Sequence, residues 1–216
     1  PESSNKMPLR ELISEIIGGF NGKIAFLALV FMAISNIGMG IYDVLFNKFF
    51  IEELSWTGEQ IGNARPWGLW IGGGVGLLVG LGVSRYGARY LLLSFIAAEL
   101  VLYLFLGMID GQITTNQGFL ILVGVEIATV GSQVIMFALL MSLCVTRTSA
   151  TNFGIYMGLS NLSTLIGSKI APISFAALGY SGSFILSAAV LIPCLLIIPI
   201  LTSSDKRRLS LPFQSD

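Results

Sequence analysis

Long apolar segments joined by short polar connections dominate this sequence and limit what it can fold into. Six of them approach or exceed the roughly 20 residues that a helix needs to cross a bilayer. They occupy residues 24–50, 58–83, 89–109, 118–145, 152–178 and 183–202. Only 11% of the residues are charged, whereas soluble domains contain about 25%. We therefore predict an all-α membrane protein with six transmembrane helices.

Residue types that are missing or rare exclude several classes of function. The chain has no histidine, which excludes His-based metal sites and His proton relays, and its two cysteines cannot form a disulfide framework. Both cysteines, Cys144 and Cys194, lie in apolar runs where packing is their expected role. There is no nucleophile elbow, phosphate loop or metal-ligand spacing, so we expect no enzyme, cofactor or metal. A net charge of zero without a basic cluster indicates no nucleic-acid partner.

Two polar terminal regions flank the predicted bundle. Residues 1–22 form a predicted interfacial segment, because apolar residues recur at helical spacing between residues 7 and 20 with charges on the other face. That helix is too short and too charged to span a bilayer. The six-helix bundle then occupies residues 23–203, and residues 204–216 form a polar tail. Because the chain begins at Pro1 without a signal-peptide pattern, we expect a fragment of a longer protein.

The distribution of Lys and Arg predicts the orientation of the bundle. If both termini lie on one side, that side carries Lys6, Arg10, Lys23, Arg85, Arg89, Arg147, Lys206, Arg207 and Arg208. The connections on the opposite side carry no Lys or Arg, only Glu52, Glu53, Glu59 and Asp110. Because cytoplasmic loops are enriched in Lys and Arg, both termini and the interfacial segment are predicted to be cytoplasmic.

The second predicted helix carries a ladder of glycines, Gly68, Gly72, Gly76 and Gly80. Glycines four apart share one helix face and allow another backbone to approach closely, which drives helix association in lipid. We expect this face to pack against another helix, either in this chain or in an absent half of the protein. The alternative is that transmembrane helices are simply rich in glycine. Thr57 and Gln60 predict a capping box at the start of this helix.

Polar residues form stripes on four of the six helices. The stripes are Asn36, Gly40, Asp43 and Asn47 on the first helix, Arg65 on the second, Glu126, Thr129 and Gln133 on the fourth, and Gly154, Gly158, Asn161 and Ser168 with Lys169 on the fifth. Because polar groups inside a bilayer usually face the bundle interior or a wet cavity, we expect these four helices to have a wet or packed polar face. The third and sixth helices are predicted to face lipid.

Four charged residues are predicted to lie at one level of the bilayer. At a rise of about 1.5 Å per residue, Asp43, Arg65, Glu126 and Lys169 all lie roughly 10–14 Å from the outer ends of their helices. They predict a charge cluster in the cavity, in which Asp43 or Glu126 takes up a proton. The alternative is that these charges pair and only orient the helices. For Glu99, on the third helix, a neutral acid bonded to a neighbour and a role in transport both stay open.

Two motifs resemble known transporters. The run from Gly80 to Arg89, which contains Ser84, Arg85 and Gly87, resembles the loop G-x-x-x-D-R-x-G-R of the major facilitator superfamily. Ser84 stands where that family usually has an aspartate, which removes the charge of its latch to a neighbouring helix. Residues 138–144 and 148–153, read as ALLMSLC and TSATNF, resemble the junction between the tenth and eleventh helices of AmpG-type muropeptide permeases.

The resemblance implies the C-terminal half of a twelve-helix transporter. On that basis the six helices correspond to helices 7 to 12, and the expected partners are an N-terminal six-helix half, membrane lipid, protons and a small-molecule substrate. The implied function is proton-coupled import of anhydro-muropeptides across the bacterial inner membrane. Two alternatives remain: a major facilitator porter for another sugar, peptide or acyl-CoA, and a membrane scaffold that has the fold but does not transport.

Overall fold

The computed structural model describes residues 8–109, 113–144 and 148–202, and this part of the chain contains helices and no strand. The helices are α1 Leu9–Gly18, α2 Lys23–Ser35, α3 Ile37–Glu52, α4 Gly58–Tyr86, α5 Ala88–Met108, α6 Thr115–Leu143 and α7 Ser149–Leu201. Within the described ranges, five helical stretches are long and apolar enough to cross a membrane, counting α2 and α3 together as one. The predicted all-α class is therefore confirmed, and the composition of these helices is that of a multi-pass membrane protein.

Some predictions concern residues outside the described ranges. These are residues 1–7 of the interfacial segment, the tail at residues 204–216, and the charged residues Asp110 and Arg147. Within the predicted interfacial segment, α1 covers Leu9–Gly18 and exposes the side chains of Ile13 and Ile17. An exposed apolar face on a short charged helix is typical of a helix that lies at a membrane surface.

The first predicted span is divided at Asn36. This residue has φ −97° and ψ 5°, so α2 ends before it and α3 begins after it. Its backbone N–H donates to the Ser163 hydroxyl over 3.2 Å, and its side-chain Nδ2 donates to the Ser160 hydroxyl. Hydrogen bonds to hydroxyl groups of α7 therefore satisfy polar groups where the helix is interrupted, as membrane helices require. The predicted continuous helix over 24–50 is thus two helices.

The last two predicted helices are joined in α7, which is 53 residues long. Gly179 has φ 67° and ψ −166°, a conformation that side chains disfavour, and it divides α7 into residues 149–178 and 180–201. A proline inside a helix lacks the backbone N–H donor and usually kinks or opens the helix. Instead α7 continues through Pro172, and Gly179 is the residue within it that departs from helical geometry.

Helix starts depend on side-chain caps at two positions. The predicted capping box is confirmed: the Thr57 hydroxyl accepts from the Gln60 N–H over 3.2 Å, and the Gln60 side chain accepts from the Thr57 N–H over 2.8 Å. Thr114 and Gln117 form an equivalent box at the start of α6, which the sequence analysis did not identify. Each box satisfies backbone donors that the first helical turn leaves free.

Small residues bring α3 against both parts of α7. A Cβ added at Gly40 would meet the backbone of Thr164 and Ser168, and one added at Gly38 would lie 2.6 Å from the Ser187 carbonyl oxygen. Contact between backbones lets α3 fill the space between the two parts of α7. Since α2 also packs on α7, the divided first span and α7 form one side of the bundle.

The other side of the bundle is formed by α4, α5 and α6. Helix α4 packs mainly on α6, and α5 packs between α6 and the second part of α7, where Gly107 lies against Ile185 and the Ser181 backbone. On α5 one face is exposed, with Val101 and Phe105 at its surface, and the other is buried. Helix α5 was predicted to lie at the edge of the bundle, and the exposed face fits that position. Its buried face carries Glu99.

Candidate functional site

A cluster of three charged side chains joins α3, α4 and α6. Arg65 Nη2 donates to Asp43 Oδ1 over 3.2 Å, and Arg65 Nε lies 3.9 Å from Glu126 Oε1. The first contact is a hydrogen-bonded ion pair, and the second is too long for a hydrogen bond but close enough for strong attraction. Two carboxylates share one guanidinium, so the cluster is negative when all three groups are ionised. The net negative charge of the cluster favours the binding of a proton or a cation.

The glycine ladder positions α4 for this cluster. A Cβ added at Gly68 would lie 2.9 Å from Glu126 Cγ, one at Gly72 would lie 3.3 Å from the Glu126 carbonyl oxygen, and one at Gly76 would lie 3.2 Å from Val130. These three glycines face α6, whereas Gly80 has no atom within 4 Å of such a Cβ. Without side chains at these positions, α4 approaches α6 closely enough for Arg65 to reach Glu126. The neighbour of this face is therefore α6.

The cluster is half-buried beside an open groove. The exposed fraction of the side chain is 40% for Arg65, 30% for Asp43 and 17% for Glu126. Arg65 also lines a groove of about 530 Å³ between α3 and α4, together with the predicted site residue Asn47. Access to water reduces the energetic value of each ion pair, and it also lets the carboxylates exchange protons and contact a solute.

Lys169 is separated from the three other charged residues of the predicted cluster. It is exposed on α7, and the described residues include no ion pair between it and a carboxylate. The reason lies in the rotation of α7: Gly167 packs against the α3 backbone at Ile37 and Gly40. Two residues further along a helix correspond to a rotation of about 200°, so Lys169 points away from α3. The structure thus brings together three of the four charges.

Three of the four amide residues of the predicted site lie at a second groove. Asn36, Gln133 and Asn161 line an open groove of about 520 Å³ between α3, α6 and α7, with the hydroxyl residues Ser160, Thr164 and Ser168. This lining combines hydrogen-bond donors and acceptors with Met39 and Leu165. A groove of this kind suits a solute with many hydroxyl and amide groups. The stripe of α3 connects the two grooves, because Asn36, Asp43 and Asn47 follow one face of the chain.

Glu99 was predicted on a lipid-facing helix, and its side chain lies in the bundle interior. It is 4% exposed and accepts a hydrogen bond from the Tyr103 hydroxyl over 3.0 Å. It lines a small internal cavity of about 20 Å³ with polar residues of α2, α6 and α7. The spacing of four between Glu99 and Tyr103 was visible in the sequence, but only the packing of α5 shows which way they point.

The loop motif forms the turn between α4 and α5. Helix α4 ends at Tyr86, Gly87 has φ 83°, and α5 begins at Ala88. The positive φ explains why a glycine is needed in so short a turn. The side chains of Arg85 and Arg89 are exposed beside it, and the Ser84 side chain lies outside what the structure describes. Most of the site residues thus fall into four groups: the charge cluster, the second groove, the α4 glycines and this turn. Asn47 lines the first groove instead, and Lys169 is exposed apart from the charge cluster.

Among the described residues, no group of three His, Cys, Asp or Glu side chains is placed to hold a metal ion. Neither the protein-family models nor the curated proteins match this chain. A proposal for its function therefore rests on the grooves, the charge cluster and the sequence motifs.

Proposed function

We propose that the chain is the C-terminal half of a secondary active transporter that imports a polar solute together with protons. The observation that carries the proposal is the polar stripe of α3, along which Asn47 lines one open groove and Asn36 lines the other. Such residues are unfavourable in a membrane unless they serve a wet pathway. Grooves of about 500 Å³ have the size of small-molecule sites.

The topology that we propose has six crossings. Residues 23–52 make the first crossing, and Gly179 divides α7 into the fifth and sixth. The exposed residues Arg85 and Arg89 flank the turn after α4, on the same side as the start of α2. Because Lys and Arg concentrate on the cytoplasmic side, the proposed topology has both termini in the cytoplasm. A bacterial inner membrane is the location that agrees with the resemblance to AmpG-type permeases.

The proposed substrate is an anhydro-muropeptide, which combines sugar hydroxyls, amides and stem-peptide carboxylates. Asn161, Gln133 and Ser160 offer donors and acceptors for the hydroxyls and amides along the second groove. The exposed cation of Lys169, which follows the groove residue Ser168 in the sequence of α7, is suited to a peptide carboxylate. An N-terminal six-helix half would close the grooves into a cavity, with lipid around the remaining apolar faces.

Two other functions compete with this proposal. A major facilitator porter for another sugar, peptide or acyl-CoA would use the same grooves with a different cargo. A membrane scaffold would need neither groove, and it has no use for a half-exposed cluster of two carboxylates and a guanidinium. The cluster therefore favours transport over a scaffold.

An uptake assay tests transport and the role of Lys169 together. We expect membrane vesicles containing the full-length protein to accumulate labelled anhydro-muropeptide when a proton gradient is imposed, and to lose it with a protonophore. Lys169→Gln should raise the substrate KM at least tenfold, because one charge-assisted contact contributes about 1.5–3 kcal/mol. Lys23→Gln, at the exposed start of α2, is the matched control and should behave as wild type. Absence of gradient-driven accumulation in wild-type vesicles would contradict the proposal.

A further inference from the structure

Glu99 is a buried carboxyl group without a cationic partner. Its side chain is enclosed by the bundle, and the Tyr103 hydroxyl donates to its Oε1 over 3.0 Å. The ion pairs among the described residues are Lys48–Glu52, Arg65–Asp43 and Arg65–Glu126, so none reaches Glu99. An ionised carboxylate is very unfavourable in such a place unless it is paired. Glu99 is therefore most stable when it carries a proton.

The space beside Glu99 is polar and large enough for about one water molecule. The internal cavity measures about 20 Å³, and a cavity of roughly 10–15 Å³ is sufficient for one water. The polar side chains around it come from α2, the α2–α3 joint, α6 and α7: Ser35, Asn36, Thr129, Ser132, Gln133 and Ser160. A water held by two to four of these groups would give the Glu99 carboxyl a hydrogen-bonded neighbour through which a proton can pass.

One layer of side chains separates this cavity from the open groove of α3, α6 and α7. Asn36, Gln133, Phe137 and Ser160 line both spaces. Three of these four residues can donate and accept hydrogen bonds. These four residues form a thin and mainly polar wall. A proton that moves between bulk water in the groove and Glu99 has only this wall to cross.

Two residues of this wall, Asn36 and Ser160, also form a hydrogen bond at the break between α2 and α3. Asn36 is the joint between α2 and α3, and it donates hydrogen bonds to Ser160 and Ser163 on α7. A change in the charge of Glu99 alters the hydrogen bonding of the cavity that Asn36 and Ser160 line. Protonation of Glu99 is thus linked to the contact that sets α2 and α3 against α7.

We propose that Glu99 is the proton-binding site of this bundle, and that it exchanges protons with the open groove through Asn36, Gln133 and Ser160. The carboxylate takes a proton from groove water to become a neutral carboxylic acid, and release returns the proton to that water. Its role in coupling rests on the proposed transport function. Asp43 and Glu126, the acids expected from the sequence to include the proton acceptor, already have Arg65 as a partner.

The titratable groups that face Glu99 belong to three helices. Tyr103 on α5 is bonded to it, and Tyr42 on α3 stacks on Tyr103 with ring centroids 5.3 Å apart. Cys194, a third titratable group in the bundle interior, is buried on α7. The polar groups that α6 contributes to the cavity, Thr129, Ser132 and Gln133, do not titrate. Glu99 is the one carboxyl group among the residues that line this cavity, so a carboxylic-acid signal from the cavity belongs to Glu99.

Infrared spectroscopy of the full chain in lipid bilayers tests the site directly. We expect a carboxylic-acid carbonyl band at neutral pH that disappears at alkaline pH and is absent in Glu99→Gln. The band should persist in Asp43→Asn and Glu126→Gln, and it should shift to higher frequency in Tyr103→Phe because a hydrogen bond is lost. A band that is missing in wild type, or that remains in Glu99→Gln, would overturn the proposal.

Deuterium exchange tests the route through the wall. In D₂O the band of the wild type should shift rapidly, whereas Gln133→Leu should slow that shift at least tenfold. Asn161→Leu is the matched control, because Asn161 lines the groove but not the small cavity. Equal exchange rates in the wild type and Gln133→Leu would show that the proton takes another path.

Uptake experiments separate coupling from transport itself. Glu99→Gln is expected to abolish gradient-driven accumulation and to retain exchange of labelled for unlabelled substrate across the membrane. Accumulation by Glu99→Gln at the wild-type level would rule out a coupling role. If wild-type vesicles transport nothing, the proposed function fails, and the infrared titration still decides whether Glu99 binds the proton.

Discussion

Replacing Gly167 by alanine is expected to destabilise the bundle strongly, lowering its thermal midpoint by on the order of 10 °C. A Cβ at this position would collide with the Ile37 carbonyl group and would lie 3.0 Å from Gly40 Cα. These neighbours are backbone atoms, so a rotamer change cannot relieve the clash and α3 must move away from α7. Overpacking of this kind costs about 1–3 kcal/mol, and the loss of the close α3–α7 contact adds to it.

The control for this variant lies on the same helix. A Cβ at Gly158 would meet no atom within 4 Å. Since alanine has a higher helix propensity than glycine, Gly158→Ala should leave the midpoint unchanged or raise it slightly. Thermal unfolding in detergent, followed by circular dichroism, measures both variants. Equal midpoints for Gly167→Ala and Gly158→Ala would contradict the packing of α3 on α7.

Replacing Arg65 by methionine is expected to lower the initial uptake rate at least tenfold. Methionine keeps much of the side-chain volume, but it leaves Asp43 and Glu126 as neighbouring carboxylates without a cation. Repulsion between them would separate α3 from α6 or force one to take up a proton. Arg65→Lys should recover only part of the rate, because an ammonium group cannot contact both carboxylates in the geometry of a guanidinium.

A second ion pair provides the control for Arg65. Lys48 and Glu52 lie 3.8 Å apart with side chains that are 48% and 49% exposed, and pairs of this kind contribute about 0–1 kcal/mol. Lys48→Met should therefore transport nearly as well as wild type. If this repulsion lowers the amount of folded protein in Arg65→Met, the double variant Arg65→Met/Asp43→Asn should restore that amount, because one of the two unpaired charges is removed. If Arg65→Met took up substrate at the wild-type rate, the charge cluster would have no role in transport.

Local patterns were sufficient to predict most of the helices and one of their caps. The apolar segments lie close to the observed helices because a membrane helix forms all its backbone hydrogen bonds within its own segment. Thr57 and Gln60 are three residues apart, so their mutual capping depends on no other part of the chain. The polar stripe of α3 was likewise visible from spacing alone, and Asn36 and Asn47 both line grooves.

Features that depend on distant partners were not predictable in this way. The break at Asn36 depends on the hydroxyls of Ser160 and Ser163, which are more than 120 residues away along the chain. Lys169 and Asp43 were predicted at the same depth in the bilayer. Depth alone does not show how α7 is rotated about its axis, and that rotation directs Lys169 away from α3. In the same way, hydropathy assigned α5 to the edge of the bundle and could not show that Glu99 lies on its buried face.

Labelling of single cysteines is the most direct test of the central claim, that the polar stripe of α3 borders wet grooves. Cysteine would be placed at Asn47, Asn161 or the exposed apolar position Leu196, in a chain whose Cys144 and Cys194 are replaced by serine. A charged thiol reagent should label positions 47 and 161 at least tenfold faster than position 196, and substrate should protect 161. Equal labelling at the three positions, or faster labelling at 196, would contradict the account.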